Sequence, residues 1–496
     1  MKRRSPRLLA LGAAVMLALA GCGSISEVTV PADFDQPLHI PPLAESTIDD
    51  DGTRVFDLTA QSGTTDFSTG ASATETMGFN GSFLGPTLRA KRGEMVAVNF
   101  SNELGRTTSV HWHGMHLPAA MDGGPHQEVE PGGTWRPEWQ IDQPGATLWY
   151  HPHPHGETED QVYRGLAGMF ILDDEDTAVS GLPSEYGVDD IPVIVQDKQF
   201  TGDGQLTLQN DGNEIGLLGS TVMVNGTIGA HHKVTTEKVR LRLLNGSTAR
   251  IYNFGFEDGR PFQLVATDGG LLRSPLEQRN IQLSPGERAE IVVAMEPGTT
   301  AMLRSSEPDL GAVAAPFAFG ANDSFDVLEL RAAGELAPSS AVSPTLSDFG
   351  TDEFDASVTR SFELEGRRIN GRTMDMGRID ETITLGATEV WEVRNKNLFP
   401  HNFHIHDVQF QILSIDGETP PAHLAGRKDT VYLSPQKTYR LIMTFEDYAD
   451  PQVPYMFHCH LLLHEDEGMM GQFVVVEPGQ SAGAIPTNDG GAHHAH

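Results

Sequence analysis

The residues best placed to do chemistry sit close together near the C-terminus. They are His458-Cys459-His460, with His464 five residues after the cysteine and Met469 ten residues after it. A thiolate and an imidazole at short range, with a thioether beyond, are the ligand set of a blue-copper electron-transfer site. In extended chain the side chains alternate, so Cys459 faces one way while His458 and His460 face the other. One short segment then touches two metal centres at once. The set needs a second imidazole, and His401, three residues before His404 and off its alternation, is the natural donor. The predicted site is His401, Cys459 and His464 with Met469 axial, Met470 being the competing axial ligand.

Four His-x-His pairs occur: His111/His113, His151/His153, His404/His406 and His458/His460. On strands each pair projects both rings to one face. Eight converging imidazoles suit three copper ions with positions left open for oxygen. Since Cys459 is bonded to both His458 and His460, the implied reaction is one-electron oxidation of an outside donor, four times over, with four-electron reduction of O2 to water inside. A cluster shared between two units should also help hold them together.

The elements that carry these pairs repeat. Val96–Asn102, Val239–Asn245 and Glu389–Asn395 each alternate and end in Asn. Nine residues after Asn102 comes His111-Trp112-His113, nine after Asn395 comes His404-Ile405-His406, and nine after Asn245 comes Phe254-Gly255-Phe256. Tyr150-His151-Pro152-His153 corresponds likewise to Phe457-His458-Cys459-His460, with Pro152 where the thiolate would be. Three related units follow, with ligands confined to the outer two. Short alternating segments bounded by Gly, Pro, Asn and Asp indicate an all-β sandwich architecture.

The 496 residues are enough for about three domains, and 68 acidic against 34 basic residues give a formal charge of −34. Such a surface repels nucleic acid and attracts cations. Residues 1–22 read as a bacterial lipoprotein signal peptide: basic Lys2, Arg3, Arg4 and Arg7, an apolar run Leu8–Ala20, then Leu19-Ala20-Gly21-Cys22. Cys22 is the expected lipidation site. The protein is then exported, by the Sec or the twin-arginine route, and held at the cell envelope by a lipid anchor on the membrane. With Cys22 and Cys459 so used, no cysteine remains for an intramolecular disulfide. Polar, Pro-punctuated stretches at 23–51 and 336–352 read as linkers. They delimit domains at 52–180, 181–335 (no copper ligands) and 353–480 (the Cys459 site), and 481–496 reads as a flexible His-containing tail.

These motifs resemble the signatures of the multicopper oxidases: His111-Trp112-His113-Gly114, Trp149-Tyr150-His151-Pro152-His153, His401-Asn402-Phe403-His404-Ile405-His406, and His458-Cys459-His460 through Met469. The likeness spans roughly residues 50–478. It implies three cupredoxin-like Greek-key β-sandwich domains and four copper ions. His401, Cys459, His464 and Met469 would hold type 1 copper, and His111 and His404 type 2. His113, His151 and His460 would hold one type 3 copper, and His153, His406 and His458 the other. Asp122 and Glu465 match positions that relay protons, which oxygen reduction in a water-poor cavity requires. His116, His126, His155 and His423 fit no ligand position and read as structural or surface residues.

Within the family the chain is most similar to bacterial copper-efflux oxidases, on Met121-Asp122-Gly123-Gly124-Pro125, His151–Gly156, Pro421-Ala422-His423, Lys428-Asp429-Thr430 and His464-Glu465-Asp466. It departs from them in lacking a methionine-rich run, of which Met374, Asp375 and Met376 are the nearest remnant. Asn397-Leu398-Phe399-Pro400 precedes His401, and Asn402 stands for the usual proline. The expected partners are O2 and a reducing donor, Cu(I), Fe(II) or a phenol, for a monomer serving copper tolerance. The alternatives are a laccase-like oxidase of phenols and aromatic amines and a non-enzymatic copper-binding or scaffold protein, whose relatives have lost ligands. A two-domain nitrite reductase would lack the His-Cys-His arrangement.

Overall fold

The computed structural model describes residues 33–485 apart from 68, 69, 71, 211, 350–355 and 357. The leader, the lipidation site expected at Cys22 and residues 486–496 of the tail lie outside the described residues. Alternating segments form six sheets, which pair along the chain into three β-sandwiches, each closed over its own apolar core. The third core also takes in Ile215, Ala249, Ile251, Leu310 and Phe319 from the middle unit, so the last two units are packed rather than strung together.

The Asn-ended repeat has a structural cause. Strands Met95–Asn102, Lys238–Asn245 and Thr388–Asn395 all terminate in a fully buried Asn whose side chain ties down the turn that follows. Asn102 Oδ1 accepts from Leu104 N at 2.9 Å, and its amide donates to Arg106 O and Val129 O. Asn245 does the same with Ser247, Arg250 and Leu283, and Asn395 with Asn397, Phe399 and Leu433. An Asn that mimics a turn with its own side chain fixes the next segment's exit. The strands reached from these turns are His111–His113, Tyr252–Phe256 and His401–Ile405. In the middle copy Tyr252, Phe254 and Phe256 point their rings into the apolar core.

Segments that composition reads as linkers are partly built into the fold. Gln36–Pro37 adds a parallel strand beside Ala230–His231 of the middle unit, and Leu38 enters that unit's core. Ser46–Ile48 then pairs antiparallel with Arg54–Phe56 of the first unit. In the stretch after Ala337, Leu346 packs among Leu182, Val265, Ala266, Leu271 and Val292, and Phe349 is buried. Prolines prevent these stretches from alternating, yet single apolar anchors suffice to dock them.

Charges are buried where the units meet. Arg242 pairs with Asp190 at 2.6 Å and Glu290 at 2.9 Å and donates to Thr147 of the first unit. Arg288 makes a two-pronged contact with Asp429 of the third unit, at 2.7 and 2.6 Å. Lys428 bridges Asp268 and Glu287 at 2.8 and 3.0 Å. Removing one member of such a set leaves an uncompensated buried charge.

The turn-closing role gives a prediction. Asn245→Ala strands two carbonyls and one N–H in the interior and should destabilise the protein by about 2–4 kcal/mol, read as a lowered calorimetric midpoint. An unchanged midpoint would refute the role.

Candidate metal centres

The ligand-bearing strands are neighbours in both outer units and share a register. His111 lies opposite His151 on Thr147–His151, and His404 lies opposite His458 on Asp450–His458. His153, His406 and His460 follow just beyond the ends of their strands. All eight imidazoles are buried, and the two halves meet face to face: His111 stacks on His406 with ring centres 3.9 Å apart, and His113 on His404 at 3.7 Å. Close approach is enforced by Gly123, whose φ is +79° and where a Cβ would lie 1.7 Å from Val110 O. No other residue fits there.

Apart from His460, each ring turns one nitrogen to a carbonyl or carboxylate and leaves the other facing its neighbours. His111 Nδ1 donates to Asp122 O (3.0 Å), His404 Nδ1 to Asp429 O (2.8 Å) and His151 Nδ1 to Pro152 O (2.8 Å). His406 Nδ1 donates to Asp122 Oδ2 (2.7 Å), and His113 Nε2 to Asp429 Oδ1 (3.0 Å). His458 and His153 turn Nδ1 toward Glu465 at 3.1 and 3.4 Å. A proton fixed on one ring nitrogen leaves a lone pair on the other.

Those lone pairs confront one another. His406 Nε2 and His153 Nε2 each lie 3.2 Å from His458 Nε2, and His113 Nδ1 lies 3.4 Å from His151 Nε2. His111 Nε2 and His404 Nε2 have no partner. Two nitrogens on one metal, at about 2.0–2.1 Å each, are separated by roughly 3.3–3.6 Å, so the donor set fits cations and repels itself without them. Ligand atoms of His153, His406 and His458 lie within 4.8 Å of one another, as do those of His111, His404 and His406 and of His111, His113 and His151. His460 is set back, its ring centre 4.9 Å from His113 and 5.3 Å from His151, with both nitrogens unpartnered.

The sulfur site has the same logic. His401 Nδ1 and His464 Nδ1 lie 3.4 and 3.5 Å from Cys459 Sγ, while His464 Nε2 donates to Glu214 O and the Asn397 amide lies 2.7 Å from His401 Nε2. Met469 shares the core cluster with Cys459, whereas Met470 lines a cavity of about 290 Å³ with Ile369 and Phe457. Burial pushes the thiol of Cys459 up to about 12, against main-chain N–H groups of Asn402 and Leu461 that favour the thiolate. A bound cation is what would make this sulfur a thiolate at neutral pH.

Burial likewise drives His113, His151, His401, His404 and His406 well below the usual imidazole range, His153 and His460 to about 3 and His464 to about 4. Neutral rings are the metal-binding form. His116 differs: burial opposes its charge, but Asp407 at 2.8 Å outweighs this and raises it to about 9. His126 donates to Gln472 at 2.8 Å.

Asp122 and Glu465, both buried, touch the outer nitrogens of the candidate ligands. Residues without a chemical signature in the sequence matter as much. Asp429 holds His113 and His404 and pairs with Arg288, and Asn402 contacts the cysteine. Their partners lie far away in sequence, so no local spacing marks them.

Three β-sandwiches that bring together one buried cysteine with two imidazoles and a shared cluster of histidines have a cupredoxin-like build. Multicopper oxidase sequence profiles match residues 60–177, 192–309 and 338–479. The chain is 38% identical over 443 residues to multicopper oxidase mco of Staphylococcus haemolyticus, covering 88% of this chain and 91% of that protein. It is 35% identical over 465 residues to cell division protein FtsP of Escherichia coli, covering 91% and 95%. The structure of a laccase-like multicopper oxidase from the lignin-degrading bacterium Ochrobactrum sp. superposes with a TM-score of 0.80 at 35% identity, covering 89% of this chain and all of that one. The chain belongs to the multicopper oxidase family, and that membership implies copper as the metal.

The depressed imidazoles set a pH dependence for the metal-free protein. A histidine whose folded pKa lies below its unfolded value of about 6.5 contributes stability above that value, lost as pH falls through the folded pKa. The thermal midpoint of copper-free protein should therefore fall between pH 6.5 and about 4, where His464 titrates. Copper should raise the midpoint at pH 7 by binding the folded state alone. A flat pH profile, or no rise with copper, would contradict the site.

Proposed function

We propose that this protein oxidises a reducing donor one electron at a time and couples four such events to reduction of O2 to water. Four coppers are assigned: type 1 at His401, Cys459, His464 and Met469, type 2 at His111 and His404, and the type 3 pair at His113, His151, His460 and at His153, His406, His458. The observation that carries the reading is the set of bare nitrogens that face one another between the outer units, beside the buried cysteine flanked by His401 and His464. Copper at these positions would supply the one-electron redox chemistry and the binding of oxygen.

The chain's own part is to hold, insulate and deliver protons. Glu465, ionised because the imidazoles of His458 and His153 outweigh its burial, and Asp122, against His406 and His111, are the proton-relaying carboxylates. Cys459 is bonded to His458 and His460, so a few covalent bonds join the sulfur to two cluster ligands. The ligand-complete sites favour the enzyme over a non-enzymatic scaffold, a reading that the similarity to FtsP raises.

For the donor, Cu(I) oxidation in copper tolerance is the favoured role, performed by a monomer anchored at the cell envelope through a lipid on Cys22. Among the described residues no helix is long and apolar enough to cross a membrane. The loop carrying Met374, Asp375 and Met376 reaches the type 1 region, since Met374 N donates to Gly468 O at 2.9 Å, next to Met469. Laccase-like oxidation of phenols is favoured by an exposed apolar rim. Leu398 is 53% exposed beside Phe399 and His401, and Phe317 is 58% exposed on the segment whose Ala314 N donates to Leu398 O.

Oxygen uptake by copper-loaded protein against Cu(I), Fe(II) and a phenol tests the reading. Cys459→Ser should abolish the blue band and the uptake while most cluster copper stays; parental turnover in that variant would overturn the assignment. Met374→Leu/Asp375→Ala/Met376→Leu should lose Cu(I) oxidation selectively, whereas equal activity on both donors would remove the loop from the mechanism.

A further inference from the structure

Asn402 occupies a position where its side chain touches neither a donor nor a ligand imidazole, yet it is fully buried and makes contacts in two directions. Its Oδ1 accepts from the main-chain N–H of His460 at 2.6 Å and lies 3.5 Å from Cys459 Sγ. Its Nδ2 donates across the unit boundary to Pro285 O at 2.9 Å and Ser284 Oγ at 3.3 Å. The anchor is itself fixed: Ser284 N and Oγ donate to Glu287, which pairs with Lys428. The next residue, Gly286, packs so closely that a Cβ there would lie 3.2 Å from rings of both His113 and His460.

Cys459 Sγ thus lies against Asn402, whose main-chain N–H, together with that of Leu461, favours the thiolate form of the sulfur. A donor to a metal-bound thiolate withdraws charge from the sulfur and so favours the reduced, less positive metal, which raises the reduction potential. Proline in this place would remove that N–H.

We propose that Asn402 is a positioning residue that clamps the Cys459–His460 link to the middle unit and supplies a hydrogen bond to the sulfur, thereby setting both the potential of the cysteine site and its coupling to the histidine cluster. The inference rests on the reading of Cys459 as a copper ligand. It gives the middle unit, which has no ligands, a part in electron delivery.

The test compares Asn402→Ala, which keeps the N–H and loses the clamp, with Asn402→Pro, which loses both, in copper-loaded full-length protein. Readouts are copper content, the sulfur-to-copper absorption band, the potential of the blue site, and its re-oxidation rate after rapid reduction. Asn402→Ala should keep the band and the potential near wild type and slow re-oxidation by about tenfold, the upper end of what one hydrogen bond between neutral groups is worth. Asn402→Pro should in addition lower the potential and shift the band. If Asn402→Pro does not accumulate, the re-oxidation rate of Asn402→Ala decides alone. Wild-type re-oxidation in fully loaded Asn402→Ala, or an unchanged potential in Asn402→Pro, would overturn the proposal. A wild-type protein with no blue band would instead overturn the copper reading of Cys459 on which it rests.

Discussion

An imidazole has two nitrogens, and in a dry interior both must be satisfied. That constraint governs this molecule. Eight rings are packed between the first and third units; six have one nitrogen tied to a carbonyl or carboxylate, and a seventh, His153, faces Glu465 at 3.4 Å. The remaining lone pairs face each other across distances where only a cation relieves the repulsion. The interface is thus complete as a protein surface and incomplete as an electrostatic one. Its shape follows from the ligand strands and their register, and its stability from what the rings enclose.

The middle unit lost nothing by having phenylalanines where its neighbours have histidines. Its loop from Ser284 to Arg288 meets both outer units: Ser284 and Pro285 hold Asn402, Gly286 lies against His113 and His460, Glu287 pairs with Lys428, and Arg288 clasps Asp429. Asp429 in turn orients His113 and His404. Five consecutive residues with neither a histidine nor a cysteine among them fix the relative placement of the two histidine-rich units. The desolvation of so many charges is tolerated because each is paired within the same network.

The histidines and the cysteine were legible in the sequence because strand alternation has a period of two and both halves repeat the same offsets. The strand-ending asparagines were legible for the same reason, and their hydrogen bonds explain why the repeat survives where the ligands do not. Asn402 could be seen as unusual but not as connected, since its partners at Ser284 and Pro285 are 118 and 117 residues away. Asp429 lies in a motif, but nothing local pairs it with Arg288, 141 residues away. Residues 33–48 read as spacer because prolines break their alternation, although two short strands and Leu38 are enough to seat them.

That seated segment has a consequence for how copies of the chain behave toward one another. A strand at the rim of a sheet offers unpaired N–H and C=O groups to any passing chain. Gln36–Pro37 covers the rim strand Ala230–Thr236 of the middle unit, and Ser46–Ile48 covers Arg54–Phe56 of the first. Pro37 can offer no N–H of its own on the new rim, and the covering strands are two and three residues long, too short to template another. The two short strands therefore cover two sheet borders whose ladder groups would otherwise be free to pair with a neighbouring chain.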